Sequence, residues 1–519
     1  MMRFVLNMQI VVNNRFIIKF LMAIAMLNAP LFADYITPGT GVHFTADSLV
    51  ANAGGAVTGA NGSYLVNETV QVQTGDTLTL LPGDTLIFTD TSGSAELHIN
   101  GVLFAIGTET DSIIITSQNQ NYGDFYGLIF RDTDSGSAFE MNYCRIEYAK
   151  RAIDVVSADV LVENSVIRRT SEVAIDLFGT NSVFRNCLIT ENRQRAVTMT
   201  VNSSPTIEGC TFTENNFENA SPYTIISIGL QGENSPVLRN NHIIGGYDKS
   251  GGISIWNTSN ALIEGNTIEN CGYGILCYQV NANPLIKNNI IRNNNINPDT
   301  LLWGFGIASN GTNAPIITGN EISGHFFGVA IINGGQPNLG NVDNPDTTDD
   351  GNNYFLGNGI GNNRYELFNN NALPIVAQNN WWGTADPDSI EDRIVHQVDD
   401  SGYGLVSFTP YISEITAVDP VENAVLPDEL TLLPAYPNPF NPETRLRFSL
   451  PKSADVTIQI FDVTGRKINT LLAQQVKAGA HEIRWNATNE SGAAVSSGIY
   501  FYSIRANAQI KSGKLVLLR

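Results

Sequence analysis

Two tetrapeptides, AIDV at 152–155 and AIDL at 174–177, set Asp154 and Asp176 in matching surroundings 22 residues apart. If both segments are neighbouring strands with Ile153 and Ile175 pointing inward, alternation turns the two carboxyls outward. One strand spacing of about 4.8 Å separates them, close to the carboxylate pair of a retaining glycosidase, where like charges force one pKa upward. The chemistry would be general acid/base work. The competing reading is two solvated acids, and Thr198 in the next matching segment denies the pair a third acid. Two residues further along, Phe178, Trp256 and Tyr278 fall on a second outward row, where exposed rings can stack on sugars unless inserted loops cover them. The segment NVDNPDTTDDGNN supplies Asp343, Asp346, Asp349 and Asp350, oxygen ligands of the kind Ca2+ takes. It lacks the spacing and closing Glu of an EF-hand, so the alternative is a solvated loop. The six histidines show no HxH or HExxH spacing, and the chain has neither a Gly-x-Ser-x-Gly elbow nor a phosphate loop.

Residues so far apart share a face only if the chain repeats. It does: MNYCRI, VENSVI, FRNCLI, IEGCTF, LRNNHI, IEGNTI, IKNNII and ITGNEI all read apolar, two spacers, small polar, spacer, apolar. Their fourth positions are Cys144, Ser165, Cys187, Cys210, Asn241, Asn266, Asn289 and Asn320, at intervals of 21, 22, 23, 31, 25, 23 and 31. A second column (AIDV, AIDL, AVTM, GISI, GILC, GIAS, GVAI) agrees on the period. Short runs of period two, broken by Asn, Gly and Ser, make each unit one turn of a solenoid of parallel strands. The fourth-position column then stacks as a structural ladder of polar side chains. Cys187 and Cys210 lie in neighbouring turns, where parallel side chains favour stacked thiols over a disulfide.

Acidic residues outnumber basic ones 50 to 29, giving a net charge of −21 that argues against nucleic acid as a partner. At the start, Arg15 and Lys19 precede the apolar run FLMAIAML and a small residue, Ala33, which reads as a secretory signal over 1–33. No later stretch is long and apolar enough for a membrane helix. The solenoid spans 34–412, a Pro- and Glu-bearing linker 413–433, and a region of alternating strands 434–519.

These motifs resemble the right-handed parallel β-helix proteins of the pectate-lyase-like superfamily, in the bacterial surface branch with degenerate repeats. TGDTLTLLPGDTLIF (74–88) and LHINGVLFAIGTETDSIIITS (97–117) look like the first coils of such proteins; GNNYF (351–355) and NNWWGTADPDSIEDRI (379–394) look like the last. The last region closely resembles the C-terminal (Por) sorting domain of type IX secretion substrates, itself related to the Ig-like domain of flagellar hook capping proteins. The matching residues are YPNPFNP with Tyr436, Pro437, Asn438, Pro439 and Phe440, the FDVTGRK turn with Gly465 and Arg466, Trp485, SGIYFY, and the end KLVLLR from Lys514 to Arg519. An ordinary accessory Ig-like domain is the alternative.

The resemblance implies an all-β chain, a right-handed parallel β-helix followed by a small Ig-like β-sandwich. It implies export by Sec and then type IX secretion to the surface of a Gram-negative-type bacterium, with the secretion machinery as a partner. The paired-aspartate and His-Gly motifs of polygalacturonases and the Arg-bearing motifs of pectate lyases do not occur. The expected function is therefore non-enzymatic, as an adhesion, scaffold or glycan-binding protein, with a polysaccharide lyase or glycoside hydrolase as the alternative. We expect a monomer that requires no cofactor, with Ca2+ as the one ion the acidic loop could take.

Overall fold

The computed structural model describes residues 35–131, 138–229, 231–257, 259–299, 303–361, 363–414 and 430–517, apart from 437–439, 441, 443, 451, 477–478 and 508. The expected signal and most of the linker lie outside the described residues. The chain forms two compact units, Met1–Glu414 and Ile415–Arg519.

In the first unit successive coils contribute one strand each to three sheets of fourteen, thirteen and eleven strands. Pairing between coils is parallel and in register, as in Ile153↔Ile175, Ile175↔Val197 and Ile253↔Ile275. Inward side chains therefore stack like on like. Ile263, Ile286 and Ile317 form one fully buried stack, Ile268, Ile291 and Ile322 another. Near the end of the described coils Phe355 stacks on Trp382 at 4.6 Å and 3°. Two short helices, Ala46–Asn52 and Pro387–Glu391, are the only α-helices among the described residues.

The predicted ladder is present and longer than expected. Each Asn Oδ1 accepts the backbone N–H of the preceding coil's ladder residue, as Asn289 does from Asn266 at 2.9 Å and Asn320 from Asn289 at 3.0 Å. Each Nδ2 passes a bond to the next Oδ1, and the series continues through Asn353 and Asn380. In the early coils Ser165 Oγ and Cys210 Sγ take the acceptor's place. All five cysteines are buried and free.

The residue just before the ladder is left-handed in every coil. Asn186, Asn240 and Asn288 have φ of 53°, 54° and 56°, while Gly209, Gly265 and Gly319 have 64° to 66°. Asn and Gly alternate from Asn186 to Asn352, and a Cβ at Gly319 would stand 2.3 Å from Asn288 Oδ1; at the two ends Asn follows Asn, as in Asn164 with Asn186 and Asn352 with Asn379. One position earlier, charges alternate too. Glu163, Arg185, Glu208, Arg239, Glu264 and Lys287 are neighbours in register. Arg185 lies 3.0 Å from Glu163, and Glu264 sits between Arg239 at 3.0 Å and Lys287 at 2.9 Å.

The second unit packs a three-stranded and a four-stranded antiparallel sheet around Trp485, Phe448, Leu446, Ile458 and Tyr502.

Candidate functional site

The outward face of the fourteen-stranded sheet carries most of the candidate chemistry. Asp154 and Asp176 are register partners there, as the tetrapeptides predict, but they are not two solvated acids. Asp154 is 6% exposed. Arg151 stands between the two carboxyls: its Nη1 donates to Asp176 Oδ2 at 2.8 Å and lies 3.6 Å from Asp154 Oδ2, and its Nε donates to Glu172 at 3.1 Å. Tyr126 Oη donates to Asp154 Oδ2 at 3.2 Å. Burial raises the Asp176 carboxyl to about 6 against the pull of Arg151.

Arg151 belongs to an outward row that the four-residue columns do not include, two residues ahead of the inward Ile or Val. The same offset places Tyr126, Arg195, Tyr273, Phe305, Phe327 and Tyr365. It turns a charged end of the face into an aromatic one. Arg195 lies 4.2 Å from the Tyr223 ring centroid. Further along, Phe327 packs against Phe305, Tyr365 and Phe368 at 5.3 to 6.0 Å between centroids. Between the two ends run hydroxyls, Thr198, Ser227 and Ser254 in one column.

The expected row of Phe178, Trp256 and Tyr278 is only partly contiguous. Trp256 and Tyr278 are register partners, 4.6 Å apart edge to face, and Trp256 Nε1 donates to Ser254 Oγ at 3.0 Å. Phe178 is 38% exposed but pairs with Thr200, and the following coil's strand ends at Ile228, so three coil rises, about 14 Å, part it from Trp256. The loop suspected of covering these rings lays Trp303 on Tyr273 instead, at 5.4 Å. Trp256 and Tyr278 stay half-buried.

A second cluster near the start of the sheet carries no repeat signature. Glu96 and His98 are 5% and 4% exposed, with Glu96 Oε1 3.6 Å from His98 Nδ1. Burial pushes Glu96 up to about 7 against the pull of Arg131, and burial together with Arg131 lowers His98 to about 4. A carboxyl whose folded pKa lies above its ordinary 4.5 stabilises the fold below that value and loses the contribution as pH rises to 7. Gln mimics the protonated acid. Glu96→Gln should therefore gain on the parent chain by on the order of 3 kcal/mol between pH 4 and pH 8. Urea unfolding of both chains at the two pH values measures this; a constant difference would refute it.

The acids of the loop do not converge. Asp349 is buried and accepts from Asn338 and Asn344 at 2.6 and 3.0 Å, Asp346 caps the turn Thr347–Asp349, and Asp343 accepts from Gln378 at 3.0 Å. The Asp350 carbonyl accepts from Asn379. Among the described residues no three His, Cys, Asp or Glu side chains gather to hold a metal. Short polar side chains bonding their own loop account for the composition.

In the second unit Phe440 is buried against Trp485 at 5.4 Å, and Tyr436 ends a strand opposite Arg445. Gly465 has φ 80° in a turn closed by Asp462, whose Oδ2 accepts from Arg466 Nε at 2.9 Å. Lys514 pairs in register with Phe501. Pro437, Asn438, Pro439 and Arg519 lie outside the described residues.

Three parallel sheets wound coil upon coil, followed by an antiparallel sandwich, make the chain a right-handed parallel β-helix with a C-terminal Ig-like domain. The family models agree: "Right handed beta helix region" matches 101–229 and 223–343, and "FlgD Ig-like domain" matches 438–511. No curated protein matches the chain. Among solved structures, dimeric latent PorU from Porphyromonas gingivalis is 22% identical over 17% of this chain and 9% of its own, with TM-score 0.16. Full-length tailspike protein 2 from Escherichia coli O157:H7 bacteriophage CAB120 is 11% identical over 88% of this chain and 64% of its own, with TM-score 0.28. The chain thus spans under two thirds of either protein, and similarity at this level says nothing of function.

Proposed function

We propose that this is an exported surface protein whose β-helix binds a glycan along the outward face of the fourteen-stranded sheet, and whose Ig-like domain directs it through type IX secretion. The observation that supports binding is the run of half-buried rings along one face, Trp256 and Tyr278 and then Phe327 beside Phe305. Such rings offer stacking without the entropy of ordering them first, and the buried Ser254 hydroxyl fixes the Trp256 indole by accepting from its Nε1. The lyase or hydrolase reading would need Asp154 or Asp176 free to move a proton. Arg151 ties both carboxyls, which favours a structural and positioning role for them.

Affinity electrophoresis through uronate and neutral glycans tests the reading. Trp256→Ala and Tyr278→Ala should each weaken retention about tenfold, the scale of one stacking contact. Retention untouched by both would refute the site. Release of product that vanishes in an Asp154→Ala, Asp176→Ala double variant would instead establish the enzymatic alternative.

A further inference from the structure

The eleven-stranded sheet presents a different face, with two stripes running side by side along the helix axis. One is apolar: Leu161, Val183, Val237, Leu262 and Leu285 point outward in register, interrupted by Thr206, and all are half-buried. The other is the charge row from Glu163 to Lys287. Its side chains pair within the chain yet remain 22 to 44% exposed. A continuous apolar stripe on a regular sheet, edged by charge, is the anatomy of a contact surface.

We propose that this face is an isologous contact between two copies of the chain, packed with their helix axes antiparallel. The charge row decides both the partner and the direction. It reads minus, plus, minus, plus, minus, plus. A two-fold axis lying in the face, perpendicular to the helix axis and between the coils of Glu208 and Arg239, maps each stripe onto itself in reverse order. Glu163 then meets the partner copy's Lys287, Arg185 its Glu264, and Glu208 its Arg239, opposite in sign at every position. A parallel two-fold along the charge row sets like against like, which costs rather than stabilises, and one along the apolar stripe leaves the charge rows on opposite flanks without partner charges. The same axis lays Leu161 on Leu285 and Val183 on Leu262. It also brings Leu285 and Ile316 over the shallow groove that opens beside Glu140, Leu161 and Val183.

The eight coils from Glu140 to Ile316 span about 34 Å at about 4.8 Å each. The strands are three to four residues long, about 10–13 Å, so the face covers on the order of 400 Å² per partner, the size of a weak, reversible contact. The proposal departs from the monomer expected from the sequence and is independent of glycan binding on the other sheet.

Sedimentation velocity on the full chain should show a dimer. Lys287→Glu should raise its dissociation constant at least about tenfold by opposing the partner's Glu163. Adding Glu163→Lys to Lys287→Glu should restore it. Within each chain the double variant sets its new lysine beside Arg185 and its new glutamate beside Glu264, so its melting temperature should fall while dimerisation recovers; no intrachain effect produces that combination. For direction, a Leu161→Cys chain and a Leu285→Cys chain should form interchain disulfides only when mixed. A monomeric chain, a double variant that does not recover, or disulfides within either chain alone would each overturn the proposal.

Discussion

Asn289→Ala should destabilise the β-helix by about 3–6 kcal/mol, as should the same change at Asn320, which makes the same five bonds. Asn289 Oδ1 accepts from the backbone N–H and the Nδ2 of Asn266. Its Nδ2 donates to the carbonyls of Ile263 and Lys287 and to Asn320 Oδ1. The residue is 1% exposed, and truncation orphans several buried groups at about 1–3 kcal/mol each, with no route for water to replace the lost amide. Asn288, its neighbour, should behave oppositely. It is exposed at φ 56°, a conformation glycine adopts freely, so Asn288→Gly should cost under about 1 kcal/mol. Urea unfolding of the two variants side by side decides the matter. Equal effects would mean that the ladder bonds contribute nothing beyond turn geometry.

A chain ending before Tyr436 should fail to reach the surface almost completely and collect in the periplasm of a host that has the type IX pathway. The first unit has its own core, with its buried side chains drawn from its own coils, so the truncated protein should fold and leave delivery as the only loss. Surface proteolysis and periplasmic fractionation measure this. Arg466→Ala refines it. That side chain is 76% exposed and its ion pair with Asp462 is worth little to stability, so a delivery defect in this variant would locate the recognised feature in the turn. Normal surface delivery of the truncated chain would refute the sorting role.

The architecture was legible because every coil restates it. Inward Ile and Val columns and the Asn ladder recur at one offset, and averaging over eight coils overcomes the weak preference of any one. What escaped notice has physical reasons. Arg151, Arg195 and the Phe305–Phe327 row sit just upstream of the alternating tetrapeptides, where the backbone turns a corner and strict alternation no longer tells inside from outside. Glu96 and His98 precede the first matching column, so nothing in the repeat marks them. Asn353 and Asn380 continue the ladder after intervals of 33 and 27 residues, the first lengthened by the loop around Asp349 and the second holding the Gly359–Arg364 hairpin. The charge row occupied a spacer position and repeats every second coil, a period that disappears when coils are compared one against the next. Conversely, the Asp-rich loop suggests a metal through composition alone, whereas Asp346 and Asp349 bond within their own loop and Asp343 reaches Gln378.

That two-coil period constrains how such a chain can change length. Deleting or duplicating one coil within the row from Glu163 to Lys287 brings two like charges onto neighbouring strands. Removing or adding two restores the alternation. It also keeps the row even in number, and only an even alternating row is the negative of its own reversal. Growth of this solenoid by recombination should therefore proceed in pairs of coils, with the pair, not the single turn, as its unit of inheritance.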